Sequence, residues 1–212
     1  MAATTSKLEA VNTMLQTIGE STVTTLGGTL PYEVSAAVTI LDEVTREVCM
    51  DSYVFNTEKD ITLTANVSGK YAAPTNYVQV RNQSTSEDYV IRDDGTGSNG
   101  ASGNKFVYSM KDKTDTFTAG DTITVTVIYL LDFLDLPEAA KRYCLIRSAR
   151  TYADRLVGSK DIRAFTERDE MEAKAKLTDY EFGIDEVNML RDSSSVSNIL
   201  VRGISGNSNG LH

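Results

Sequence analysis

The sequence predicts an α+β protein: an antiparallel helical bundle with an inserted antiparallel β-domain and an extended C-terminal arm. Three observations carry this. Apolar residues recur at helical spacing near both ends of the chain, the period drops to two between Tyr53 and Tyr129, and the composition turns Ser/Gly-rich beyond Ile184 while keeping scattered apolar residues. The division that follows assigns residues 1–52 and 131–184 to the bundle, 53–130 to the β-domain and 185–212 to the arm.

In order along the chain, Ser6 followed by Glu9 forms a capping box. Leu8, Val11, Met14, Leu15 and Ile18 give the first helix an apolar stripe that stops at Gly19. After a loop holding Gly27 and Gly28, Pro31 opens a second helix in which Val34, Ala37, Val38, Leu41, Val44 and Val48 recur, ending near Met50. Many of these are β-branched, so packing must hold this helix together. Alternation then marks strands at Ile61 and Leu63, Val78 and Val80, Tyr89 and Ile91, Phe106 and Tyr108, and Ile123 through Tyr129. Turn chemistry separates them at Asn66–Lys70, Ala73–Asn76 and Ala119–Asp121, and the Gly/Ser/Asn-rich run from Asp93 to Asn104 reads as a hairpin tip.

The third helix starts at Pro137 and is expected to end at Gly158, with Leu145, Ile146, Ala149, Tyr152, Ala153, Leu156 and Val157 on one apolar face. The fourth starts near Ser159 or Lys160, carries the stripe Ala173, Leu177, Tyr180 and Ile184, and is expected to end or break at Gly183. The third is basic through Lys141, Arg142, Arg147, Arg150 and Arg155. The fourth is acidic through Glu167, Asp169, Glu170 and Glu172, so the two attract.

A net charge of −9 over 212 residues disfavours wrapping a nucleic acid backbone, which depends on basic surface that displaces counterions. Cys49 and Cys144 fall among apolar neighbours on helices and read as reduced core residues, with a disulfide or a shared metal as the lesser alternative. Residues Met1 to Lys7 hold no apolar signal core, and no run approaches the roughly 18 residues that span a bilayer. The expectation is a cytoplasmic protein with no membrane contact. The only histidine is His212, the last residue, which leaves no histidine-based triad or metal site. No cofactor is expected.

Gly95-Thr96-Gly97-Ser98-Asn99-Gly100 matches G-x-G-x-x-G, but the element after it is a strand rather than the helix that receives a pyrophosphate. Asp93 and Asp94 lack the spacing of a calcium loop. Arg142, Arg147, Arg150 and Arg155 are candidates for salt bridges to a partner helix or a neighbouring subunit. The apolar tail residues Val196, Ile199, Leu200, Val201, Ile204 and Leu211 cannot build a core among so many serines and glycines, and they suit an arm that orders on another chain.

Four patches together resemble the tail tubular protein A, or head-to-tail adaptor, family of short-tailed podoviruses of the Autographiviridae type. Leu8-Glu9-Ala10-Val11-Asn12 with Leu15 and Ile18-Gly19-Glu20 is similar to the family's opening, with Thr22 where proline is common. Phe55-Asn56 with Glu58 resembles its strand entry, although Tyr53 stands where tryptophan is frequent. Ile123 to Val127 followed by Leu136-Pro137-Glu138, Arg142-Tyr143 and Ser148-Ala149 is similar to its strand-to-helix passage. Asp179-Tyr180 and Asn188-Met189-Leu190 resemble the end of its last helix.

The resemblance implies a virion tail structural protein, assembled in the host cytoplasm, and no enzyme. It implies a twelve-membered ring of this chain below the portal protein, with the C-terminal arm on the portal. The nozzle (tail tubular protein B) would sit beneath, tail fibres would dock nearby, and double-stranded DNA would pass through. Two other classes stay open. A carbohydrate-binding or hydrolytic tail protein would use Tyr77, Tyr89, Tyr108, Asp112 and Asp115, without any tryptophan to stack on sugars, and a regulatory helical scaffold would have no virion role.

Overall fold

A computed structural model describes residues 4–82, 88–97, 103–156, 158 and 160–192, without the side chains of 160–166 and 185–192. Its elements are helices α1 (Lys7–Thr17), α2 (Tyr32–Met50), α3 (Glu138–Leu156) and α4 (Lys160–Asp192). Between α2 and α3 lie strands β1 (Thr57–Thr64), β2 (Ala72–Ala73), β3 (Tyr77–Asn82), β4 (Tyr89–Asp93), β5 (Lys105–Ser109) and β6 (Thr122–Tyr129). Single 3-10 turns at Val54–Asn56 and Phe133–Asp135 mark the two passages between helices and strands.

The capping box predicts α1 correctly on its Ser6 side: the Ser6 hydroxyl accepts from the Glu9 N–H at 3.1 Å, satisfying a donor that has no partner inside the helix. Ala10, Val11, Met14 and Leu15 are its buried face. In α2 the β-branched residues are held by burial, with Val34, Ile40, Val44 and Val48 all at most 4% exposed. Its one deeply buried hydroxyl, Thr45, turns back onto the Leu41 carbonyl at 2.8 Å. Central in the helical layer, α3 touches α1, α2 and α4, and its Tyr143 and Tyr152 fill the middle of the core. The Tyr152 hydroxyl donates to the Glu33 carbonyl at 3.1 Å, so a large side chain packs without stranding its polar end.

The strands form two antiparallel sheets, in the orders β1-β6-β3 and β2-β5-β4. Val80, Val125 and Val127 from the first sheet meet Tyr89 and Val107 from the second, and Tyr71 just before β2, in one core. Ile128 points the other way and is also fully buried, where α2 approaches β6. The Gly/Ser/Asn-rich run is the hairpin between β4 and β5: Asp93 pairs with Lys105, and Asp94 N–H donates to the Asn104 carbonyl at 2.9 Å. Residues 98–102 at its tip lie outside the described residues, as does half of the G-x-G-x-x-G match.

Several expectations need correction. On β5 the alternation holds but the faces are reversed: Val107 is fully buried, while Phe106 and Tyr108 lie on the outer face. Two aromatic rings are heavier than one valine, yet their outer face is covered by cations, with the Lys70 ammonium 4.9 Å and the Arg92 guanidinium 3.5 Å from the ring centres. On α3 the buried face is rotated toward Ala140, Lys141 and Cys144, leaving Leu156 37% exposed, and Lys141 is thus no part of an exposed basic face. Ala173 and Leu177 are buried as expected, but Tyr180 is 40% exposed. Finally, α4 does not stop at Gly183. Gly158 does take the left-handed cap conformation at φ +64°, but Gly183 has no positive φ, and the helix takes in residues 185–192. The short β2 and both 3-10 turns carry no periodicity that the sequence could have displayed.

Candidate functional site

The arginines and apolar side chains that the sequence nominates on the helices lie at the surface of the helical layer, which is the candidate site. Of the four arginines nominated on α3, three are used within the chain. Arg147 meets Glu47 of α2 at 2.7 Å and also donates to the Tyr143 hydroxyl at 3.0 Å. Arg155 forks onto Glu43 of α2 at 2.8 and 3.1 Å. The hydrogen bond from Arg155 holds the Glu43 carboxyl below its usual range and pushes the Arg155 guanidinium up. Arg150 and Glu170 approach to 2.6 Å between α3 and α4, at an angle that makes the contact an ion pair rather than an aligned hydrogen bond. The basic helix and the acidic helix thus attract as their compositions imply. Arg142 is different: it is exposed and, among the described residues, has no carboxylate within 4 Å, with Glu172 near enough only to feel its field.

Apolar side chains exposed on the helical layer are Met171 at 66% and Phe182 at 62% on α4, Met50 at 60% on α2, and Leu134 at 58% beside α3. Phe182 is next to Glu181, whose carboxylate accepts from the Val54 N–H at 2.6 Å, so the later half of α4 is fastened to the turn that leads into β1. A cleft of about 320 Å³ lies beside Leu134, lined by Lys7, Asp42, Thr45, Arg46, Leu130 and Phe133. The Lys7–Asp42 ion pair, 2.7 Å long, belongs to its wall.

Three polar clamps that periodicity could not reveal hold these surfaces in place. Asn12 both donates to the Val23 carbonyl (2.9 Å) and accepts from the Val23 N–H (2.8 Å), pinning the loop after α1. The buried Asn56 amide donates to the carbonyls of Cys49 and Tyr129 at 2.7 and 2.9 Å, joining the end of α2 to the end of β6. Glu138, in the first turn of α3, accepts from the Thr5 hydroxyl and from its N–H, and these bonds lower its carboxyl pKa. The only sequence signal for any of them was their place in the patches that carry the family resemblance: Asn12, Asn56 and Glu138 were each quoted there.

The residues a sugar-binding reading would use are already engaged. Tyr89 is buried in the β-core. Tyr77 packs edge-on against Tyr129, whose hydroxyl is raised in pKa by burial and by its hydrogen bonds with the Glu58 carboxylate, which accepts, and with Tyr77. Tyr108 lies under Arg92, Asp112 hydrogen-bonds Ser109, and Asp115 pairs with Lys70 at 2.8 Å. Asp93 and Asp94 accept from the N–H groups of their own loop, at Gly95, Thr96, Gly103 and Asn104. Among the described residues no group of three His, Cys, Asp or Glu is placed to hold a metal, and no helix is long and apolar enough to cross a membrane. Cys49 and Cys144 are both free and buried. The arm residues Val196, Ile199, Leu200, Val201, Ile204 and Leu211 lie outside the described residues.

No curated protein matches the chain. The model of one protein family, tail tubular protein, matches residues 8–187, a stretch that runs through all four helices and both sheets. The chain therefore belongs to the tail tubular protein family and is a structural protein of the virion tail.

Proposed function

We propose that this chain is the head-to-tail adaptor of a short-tailed virion. Copies of it form a ring below the portal protein, a dodecamer by the resemblance stated above. In this reading the helical layer (1–52 and 131–192) packs copy against copy, the inserted β-layer (53–130) faces neighbouring tail components, and the arm beyond α4, from 193 onward, reaches the portal. The nozzle, tail tubular protein B, seats beneath, fibres dock nearby, and double-stranded DNA crosses the central channel. The observation that carries the reading is the reach of the family model, which takes both layers as one piece and ends at residue 187, three residues into the stretch that the sequence assigns to the arm. Large apolar side chains left in water on α2, α4 and the Phe133–Asp135 turn are the kind of surface that assembly covers. The excess of acid suits a channel wall that does not hold passing DNA.

Mass photometry of the purified protein, alone and with a portal protein, tests this directly. A closed ring formed alone or on the portal is expected. Deleting residues 193–212 should leave the fold and its melting midpoint intact but abolish portal attachment. A chain that stays monomeric beside the portal, or a truncated chain that still binds it, removes the proposal.

A further inference from the structure

Strand β1 leaves one side of its sheet open. In the order β1-β6-β3 it has β6 on one side and no strand on the other, whereas β3, at the far edge, approaches β4 of the second sheet. Ala65, directly after β1, turns both its backbone groups toward the β6 side, donating to the Asp121 carbonyl at 2.8 Å and accepting from the Gly120 N–H at 3.0 Å. Antiparallel pairing alternates, so Leu63 and Ile61 also face β6, and the N–H and C=O groups of Thr62 and Thr64 face outward. Among the described residues no backbone group bonds to them.

The first half of this edge is blunted and the second is not. The register shifts between Glu58 and Ile61, where Asp60 takes φ +62°, and Glu58, Lys59 and Asp60 are all exposed. A bulge and a run of charges are what keep further strands from adding. From Ile61 to Thr64 the register is unbroken, with no charge and no proline. Thr62 and Thr64 are exposed on one face, while Ile61 and Leu63 are only half-buried on the other, against the β-core.

We propose that residues 198–202 of a second copy add to this edge as an antiparallel strand, with Leu200 bonded to Thr62. The twenty residues beyond α4 hold Arg202 and no Asp or Glu, so their charge suits the acids at the blunted end. Side chains alternate along a strand, so in this register Ile199 and Val201 fall beside Leu63 and Ile61, and Arg202 falls at Asp60. An edge and a strand from different parts of one chain make a head-to-tail contact, which repeats from copy to copy and can close a ring. The source of the strand rests on the ring reading above, and residues 203–212 remain for the portal.

The test is hydrogen exchange on the full-length protein across a dilution series, with mass photometry giving the state of assembly at each point. On assembly the amides of Thr62 and Thr64 and those of 198–202 should slow together, by about tenfold or more, and dilution to the monomer should release both. A peptide of residues 195–204, added in excess to the dilute monomer, should protect Thr62 and Thr64 by itself. Thr62→Pro removes an N–H that β6 does not use, so it should keep the monomer's melting midpoint and lose both effects. Leu200→Pro, in the arm, should lose the protection on assembly while the added peptide still works. A ring in which Thr62 and Thr64 exchange as in the monomer overturns the strand and leaves the ring reading standing. A chain that never assembles but is protected by the peptide keeps the strand and removes the ring; with no protection either, both fall. Protection of both segments already present in the dilute monomer means that the arm covers its own edge, and it overturns the exchange between copies.

Discussion

Asn56 shows how much a single polar residue can settle. It is 2% exposed at the passage from helix to strand, where its amide donates to two carbonyls from different layers. Replacing it by alanine strands both carbonyls, and each buried group left unsatisfied costs about 1–3 kcal/mol. Urea denaturation of Asn56→Ala should therefore show a loss of about 2–4 kcal/mol, and a change within 0.5 kcal/mol, roughly the scatter of neutral surface substitutions, would mean the clamp is ornamental. Glu138 makes a pH-dependent case. The Thr5 hydroxyl and N–H favour its charged form, so its folded pKa lies below the unfolded value of 4.5. A lowered carboxyl contributes stability above the unfolded pKa and loses it as pH falls through the folded one. Thr5→Ala should thus melt below the parent protein at pH 7 and converge with it toward pH 3, in calorimetry across that range; a gap that does not depend on pH would sink this account. The bonds from Asn56 to Tyr129 and from Thr5 to Glu138 join residues more than seventy positions apart, and nothing in local periodicity encodes them. Ser6 over Glu9 was readable because both partners of that bond sit within one helical turn.

At the scale of elements, what could be read was whatever depends on spacing alone. The capping box, Pro31, Pro137 and the five alternating strands all rest on local backbone preference, and each lies where the sequence places it. Two glycines separate the legible from the illegible. Gly158 sits at φ +64°, a conformation that costs an alanine about 1–2 kcal/mol. Gly183 lies within α4 with nothing within 4 Å of where a Cβ would sit. The same residue type has opposite meanings, and only the backbone distinguishes them. Gly158→Ala should lower stability by about 1–2 kcal/mol, whereas Gly183→Ala should raise it by about 0.5–1 kcal/mol. Paired chemical denaturation would show it, and a destabilised Gly183→Ala would mean that α4 does break there. The reversal on β5 has a similar lesson. Hydrophobicity ranks Phe106 and Tyr108 above Val107, but the cations from Lys70 and Arg92 that cover the rings come from other strands and loops.

For the whole molecule, the question is which of the charges on α3 are left for a neighbour. Composition showed a basic helix, and four arginines qualified equally by sequence. The structure distinguishes among them. Arg147, Arg150 and Arg155 already hold α3 to α2 and α4, so altering them weakens the subunit itself. The sharpest case is Arg150, because its partner Glu170 keeps only 14% of its side-chain surface and would be left half-buried without a counter-charge. Arg142 is exposed and has no ion pair among the described residues, so its removal breaks none of the ion pairs that hold α3 to α2 and α4. In a ring built through the helical layer, a guanidinium in that position is free to meet a carboxylate of the next copy. We therefore expect Arg142→Glu to leave the melting midpoint of the monomer unchanged while reducing ring formation in mass photometry. Arg150→Ala should lower the midpoint first, and lose the ring only as a consequence. If Arg142→Glu assembles as well as the parent chain, α3 is an internal strut of the subunit, and the contacts between copies must be sought at the exposed Met171 and Phe182 of α4 instead.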